Sequence, residues 1–227
     1  MNKFSLYILL VLAFLGLSQS PHSQRDSIYI ADENAFVSKI KERSPFAIIL
    51  TDYYKDGLII HGHYHRYKIV SSVSRYRTII ARVSRKFAEK NINNIGMALY
   101  QRDAKEKKIL TPSIPGWIFV NNPIYGYWET TYTKSSEQRI WRFHKSYAYI
   151  EKALGIHPET FTEESFKKAS VFISHNAIFY GSKNEYGTFG AHTQKVFPEF
   201  FNKKSPDEKW DFKTLLQRSL KINWSGQ

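Results

Sequence analysis

The sequence predicts an α+β fold: a small antiparallel sheet whose strands lie mostly in the N-terminal half, packed by three to four helices mostly in the C-terminal half. Three observations carry this expectation. Short apolar runs with strand chemistry come early in the chain. Stretches with apolar residues at three- and four-residue spacing dominate later. Strands and helices do not alternate as a parallel βαβ fold would require.

The first element is a leader. Met1-Asn2-Lys3 supplies a short basic start, and Phe4 to Leu17 is an unbroken apolar run apart from Ser5 and Gly16. This is the pattern of a secretory signal, whose apolar core runs about 7–15 residues. Ser18, Gln19 and Ser20 end the run short of the about 20 residues a spanning helix needs. Residues 1–20 therefore read as a cleavable signal peptide, with the cut favoured after Ser18 because Pro21 blocks a cut after Ser20. The alternative is an uncleaved anchor, and no stable membrane span is expected after processing. Residues 21–227 read as a single α+β domain, periplasmic or secreted, and bacterial because the chain has no cysteine with which a secreted domain would form disulfides.

Along that domain, Asp32 caps a short helix carrying Phe36, Val37 and Ile40, and Pro45 stops it. Phe46 to Leu50 reads as a buried strand. Lys55-Asp56-Gly57 offers a hairpin turn, and a second strand from Leu58 to about Val70 pairs back. From Arg75 the period changes, with Tyr76, Ile79, Ile80, Val83 and Phe87 at helical spacing. Strands are expected at Ile95–Tyr100, Ile109–Leu110 and Trp117–Val120. A helix is expected over Glu137–Leu154, capped by Ser135 or Ser136 and closed by Gly155. A third begins with a capping box at Thr160 to Glu163, and Asp211–Leu220 adds a short fourth.

Charge narrows the partners. Lys plus Arg number 33 against 20 for Asp plus Glu, a formal net charge of +13. Twelve basic residues against three acidic ones fall between Arg66 and Lys108. A field of one sign concentrates anions, so an anionic or glycan envelope polymer is the expected partner, with nucleic acid as a further possibility. Arg75, Arg82, Arg85 and Lys86, on the expected helix, are the candidate contacts. An inert basic surface is the bland alternative.

The most suggestive motif is His61-Gly62-His63-Tyr64-His65. On a strand all three imidazoles share a face, about 6.6 Å between neighbours. That spacing lets His61 and His63 converge on one zinc ion, with a third ligand from His192 or His175. Glu129 or Glu185 would then activate a bound water. The same histidines could instead form a metal-free acid/base pair such as His63 with His175, or three solvated side chains on an exposed sheet face. No organic cofactor is expected, since no phosphate-cradling glycine loop is present. Ser-His-Asp signatures, EF-hand spacing and His-Glu-x-x-His are absent as well.

A second motif runs Ile173-Ser174-His175-Asn176 and then Asn184-Glu185-Tyr186-Gly187-Thr188-Phe189-Gly190-Ala191-His192-Thr193-Gln194. A helix end, a glycine-rich hairpin and a new helix start over about twenty residues resemble the core of lysozyme-like transglycosylases. That resemblance implies a glycan substrate. The family places a glutamate at the helix end, where this chain has His175 and Asn176, so Glu185 would have to stand in. Tyr127 and Trp128, beside Glu129, are the candidate stacking residues for a sugar or a base. The sequence thus points first to a hydrolase of peptidoglycan or a related wall polymer with a histidine-based site, either zinc-dependent or metal-free. A non-catalytic polymer-binding envelope protein is the second reading, and a secreted ribonuclease using two histidines and a lysine the third.

Overall fold

A computed structural model describes residues 3–18, 28–56, 61–73, 76–132, 137–155 and 161–202. The expected α+β class is what is found, in a larger and more mixed form. Six strands order as β1-β4-β3-β2-β5-β6, with a separate β7-β8 hairpin. The strands are β1 (Ile28–Ile30), β2 (Phe46–Asp56), β3 (Gly62–Ser71), β4 (Arg77–Val83), β5 (Ala98–Arg102), β6 (Lys108–Ile109), β7 (Gly126–Tyr132) and β8 (Glu137–Phe143). The sheet is not wholly antiparallel, because β1 pairs parallel with β4 at one edge. The helices are α1 (Lys3–Ser18), α2 (Glu33–Lys39), α3 (Arg85–Lys90), α4 (Ala148–Leu154), α5 (Glu163–Ser174), α6 (Ala191–Val196) and α7 (Pro198–Phe201). Three of these seven, among the described residues, precede β5, so they are not mostly C-terminal.

The long strand β2 organises the molecule. Its residues alternate between two cores: Phe46, Ile48 and Leu50 face one, Ala47 and Ile49 the other. Strands buried on both faces read as continuous apolar runs, as Phe46 to Leu50 does. The first core is closed by α2 through Phe36 and by α3 through Phe87 and Ala88. The second is closed by α4, α5, the β7-β8 hairpin and the loop through Phe179 and Tyr186. The sheet is therefore the middle of three layers. A bulge between Leu50 and Asp52 shifts the β2-β3 register by one residue, so that Tyr53 stands opposite His65.

Several expected elements change type. The segment from Arg75 is not a helix: residues 77–83 form β4, and Ser84 then caps α3 by accepting from the Phe87 N–H at 3.1 Å. Thr78, Ile79, Ile80 and Val83 are β-branched and favour a strand, and adjacent Ile79 and Ile80 had satisfied the helical period as well. Residues 137–143 are β8, pairing Trp141 with Trp128 across the hairpin. Only Ala148–Leu154 of the expected long helix is α-helical, and it closes on Gly155 in the left-handed region as expected. Trp117–Phe119 is a 3-10 turn following Gly116 at φ 83°. Thr162 rather than Thr160 caps α5, accepting from the Ser165 N–H at 3.1 Å. Asp32 caps α2 as expected, accepting from the Ala35 N–H at 2.9 Å.

Residues 19–27, which hold most of the expected cleavage region, lie outside the described residues, as do Gly57, Leu58, Arg75, Ser135, Ser136, Thr160 and the stretch 211–220. α1 carries exposed apolar side chains from Phe4 to Phe14. Among the described residues no helix is long and apolar enough to cross a membrane.

Candidate functional site

The histidine motif lies where the alternation places it. His63 and His65 share a β3 face with Tyr67 and Ile69, turned towards α3, and exposed His61 precedes the strand. The two strand histidines are in different surroundings. His65 has no exposed surface, and the rings of Tyr53, Tyr67 and Phe87 pack around it. Its Nδ1 and the Tyr67 hydroxyl share a hydrogen bond of 2.8 Å, while its Nε2 is buried without a partner among the described residues. Burial, with a smaller push from His63, drives its pKa down to about 3, so it is a neutral core imidazole at ordinary pH.

His63 is half-buried. Its Nδ1 and the Tyr53 hydroxyl share a hydrogen bond of 2.9 Å, and the two rings are stacked. Burial lowers its pKa, and the cations Lys55 and Arg85 lower it further against the opposing pull of Glu89. Burial raises the Tyr53 phenol, with Glu89 adding to it. α3 thus brings an ion pair to this face, Arg85 Nε to Glu89 Oε1 at 2.6 Å. A neutral imidazole with one nitrogen held by a hydrogen bond is the form that can accept a proton or ligate a metal at the other.

The other predicted site residues are held elsewhere. His175 caps α5, exposed, its Nδ1 2.8 Å from the Val171 carbonyl oxygen. His192 is the second residue of α6 and packs on Tyr186. The Glu185 carboxylate folds back into its own loop, accepting from the Lys183 N–H at 2.7 Å. Glu129 is paired with Arg142 at 2.6 Å on the β7-β8 hairpin. α5 and the hairpin belong to the layer on the far side of the sheet from α3, so His175 and Glu129 are not brought to His63. Among the described residues no three His, Asp or Glu side chains stand together so as to hold a metal ion. Trp128 is half-buried against Trp141 and Phe166, its indole N–H donating to Asn121 at 3.0 Å, while Tyr127 is half exposed.

The expected basic helix is divided. Arg82 opposes Tyr64 on β4 and so leaves the sheet on the face away from α3, whereas Arg85 and Lys86 open α3. Arg85 is neutralised by Glu89, and Lys86 is exposed.

The chain matches no family model, no curated protein and no solved structure.

Sequence reasoning missed one cationic feature. An open groove of about 700 Å³ runs between the end of α2 and the β5-β6 hairpin, lined by residues that include Lys41, Arg102 and Lys108. The runs Lys39-Ile40-Lys41-Glu42-Arg43 and Lys105-Glu106-Lys107-Lys108 were visible as charge, but nothing local joins them.

Proposed function

We propose that the chain is an exported, periplasmic or secreted, cell-envelope protein that binds an anionic wall polymer through its cationic surface. One observation supports the reading most: Lys39, Lys41, Arg43, Arg82, Lys86, Lys105, Lys107 and Lys108 are exposed and make no ion pair among the described residues. Ten other contacts do pair cations with acids, so these eight are surplus charge available to an anionic partner. The test is sedimentation of the protein with purified wall polymer across a salt series. Binding through several charges should weaken steeply as salt rises, since neutralised sites release counterions. Salt-insensitive binding, or none at low salt, overturns the reading.

A second reading is a hydrolase of peptidoglycan or a related envelope polymer, favoured by the hydrogen bond between His63 Nδ1 and the Tyr53 hydroxyl, which orients the ring. In its zinc-dependent form His61 and His63 bind the ion, and protein dialysed against a weak chelator should retain close to one zinc per chain. His63→Ala should then lose the metal, with affinity in the parent falling on acidification because imidazole must be neutral to ligate. A metal-free parent that leaves purified wall polymer intact removes this reading.

A further inference from the structure

We infer that the groove between α2 and the β5-β6 hairpin is the seat for an oxyanion, phosphate or carboxylate, carried on the polymer; the inference rests on the binding reading above and gives it a location. Its centre is Arg102. The Nε and Nη2 groups donate to the Tyr100 hydroxyl at 3.1 and 2.7 Å, and Nη1 donates to Glu106 at 3.2 Å. The guanidinium also lies 5.5 and 5.8 Å from the Phe46 and Tyr100 ring centres. These contacts use three of the five N–H donors an arginine carries and fix the plane in which the other two point. A cation already immobilised gives up little side-chain entropy when it binds. Glu106 offsets part of its charge, and the remainder of the positive field comes from its neighbours.

Lys41 stands on the α2 side of the groove and Lys108 on the hairpin, both exposed and neither in an ion pair among the described residues. The acid lining the same groove, Glu42, is taken by Arg77, with the Arg77 Nη2 at 3.1 Å. The local balance is therefore positive. Val37 and Leu110 complete the walls with apolar surface, which suits the carbon backbone of a chain molecule whose oxyanion meets the remaining Arg102 N–H groups and the two lysines.

The experiment is calorimetric titration of the full chain with two probes, inorganic tripolyphosphate and tetraglutamate, at low salt. At least one should bind, and the better one identifies the oxyanion. Lys41→Glu combined with Lys108→Glu should weaken that binding on the order of tenfold or more, while a charge-matched control, Lys152→Glu with Lys195→Glu, changes it less than about twofold. Arg102→Lys, which keeps the charge and loses the fork, should also weaken it. Equal losses in both double variants, or none in the groove variant, overturn the groove as the seat. If the parent binds wall polymer yet neither probe, only the groove falls; if it binds no polymer at all, the functional reading falls with it.

Discussion

Acid should destabilise this protein through His65. The folded state holds this imidazole neutral, with a pKa of about 3 against the usual 6.5. A histidine depressed in this way contributes stability that is fully present above about pH 6.5 and is lost as pH falls towards 3. At about 1.36 kcal/mol per pH unit, the interval from 6.5 to 3 spans about 5 kcal/mol. About 2 kcal/mol of it should be gone between pH 7 and pH 5, a large share of a typical stability of about 5–15 kcal/mol. His63 is depressed in the same direction and adds to the trend. Urea unfolding at pH 7 and pH 5 measures the loss. His65→Leu alone leaves the fully buried Tyr67 hydroxyl without its partner, which costs about 1–3 kcal/mol at pH 7. His65→Leu combined with Tyr67→Phe removes both groups and should cost less than the two single changes added. The decisive comparison is the pH dependence: the parent should lose about 2 kcal/mol more than the double variant between pH 7 and pH 5. Parallel pH profiles for the two proteins would refute the argument.

Two further outcomes are expected. Protein recovered from the periplasm should begin at or near Gln19, as N-terminal sequencing would report; an intact Met1 in a membrane fraction identifies the apolar segment as an anchor instead. Gly116→Ala should cost about 1–3 kcal/mol in thermal or urea unfolding, because φ is 83° there and the new Cβ meets the Leu154 side chain. A stability unchanged from the parent contradicts that close approach.

Two strands of the central sheet were legible, one as a short continuous apolar run and the other as the partner that a hairpin turn brings back beside it. Phe46 to Leu50 and the stretch ending at Val70 both read as strands, and the shared face of His63 and His65 follows from strand alternation alone. The partners of those histidines were not legible: Tyr53 reaches His63 through β2, and Phe87 reaches His65 from α3, contacts that the order of residues along one strand does not contain. The errors came from segments where two periods fit the same letters. Ile79 and Ile80 are adjacent, so Tyr76, Ile80, Val83 and Phe87 trace a helix while Ile79, Ala81 and Val83 trace a strand. Pairing with β3 and β1 decides for the strand. In 137–143 the deciding partner is β7, which supplies Trp128 opposite Trp141.

That change of element also alters where a polymer can lie. On one continuous helix Arg82, Arg85 and Lys86 would form a single track. With β4 ending at Val83, Arg82 faces one side of the sheet and the α3 residues the other. Lys41 and Lys108, by contrast, line the groove beside β5 and β6. In the strand order β1-β4-β3-β2-β5-β6, four strand spacings separate β4 from β6, or about 19 Å along the sheet at about 4.8 Å each. A short anion can satisfy the groove alone, whereas contact with both the groove and Arg82 requires a polymer that spans this distance. Arg82→Glu with Lys86→Glu should therefore leave tetraglutamate and tripolyphosphate binding nearly intact and weaken only polymers long enough to bridge, through lost avidity rather than a lost seat. An affinity independent of polymer length, measured over a graded series of oligomers with the same groove occupancy, would show that the two cation sites do not act on one chain.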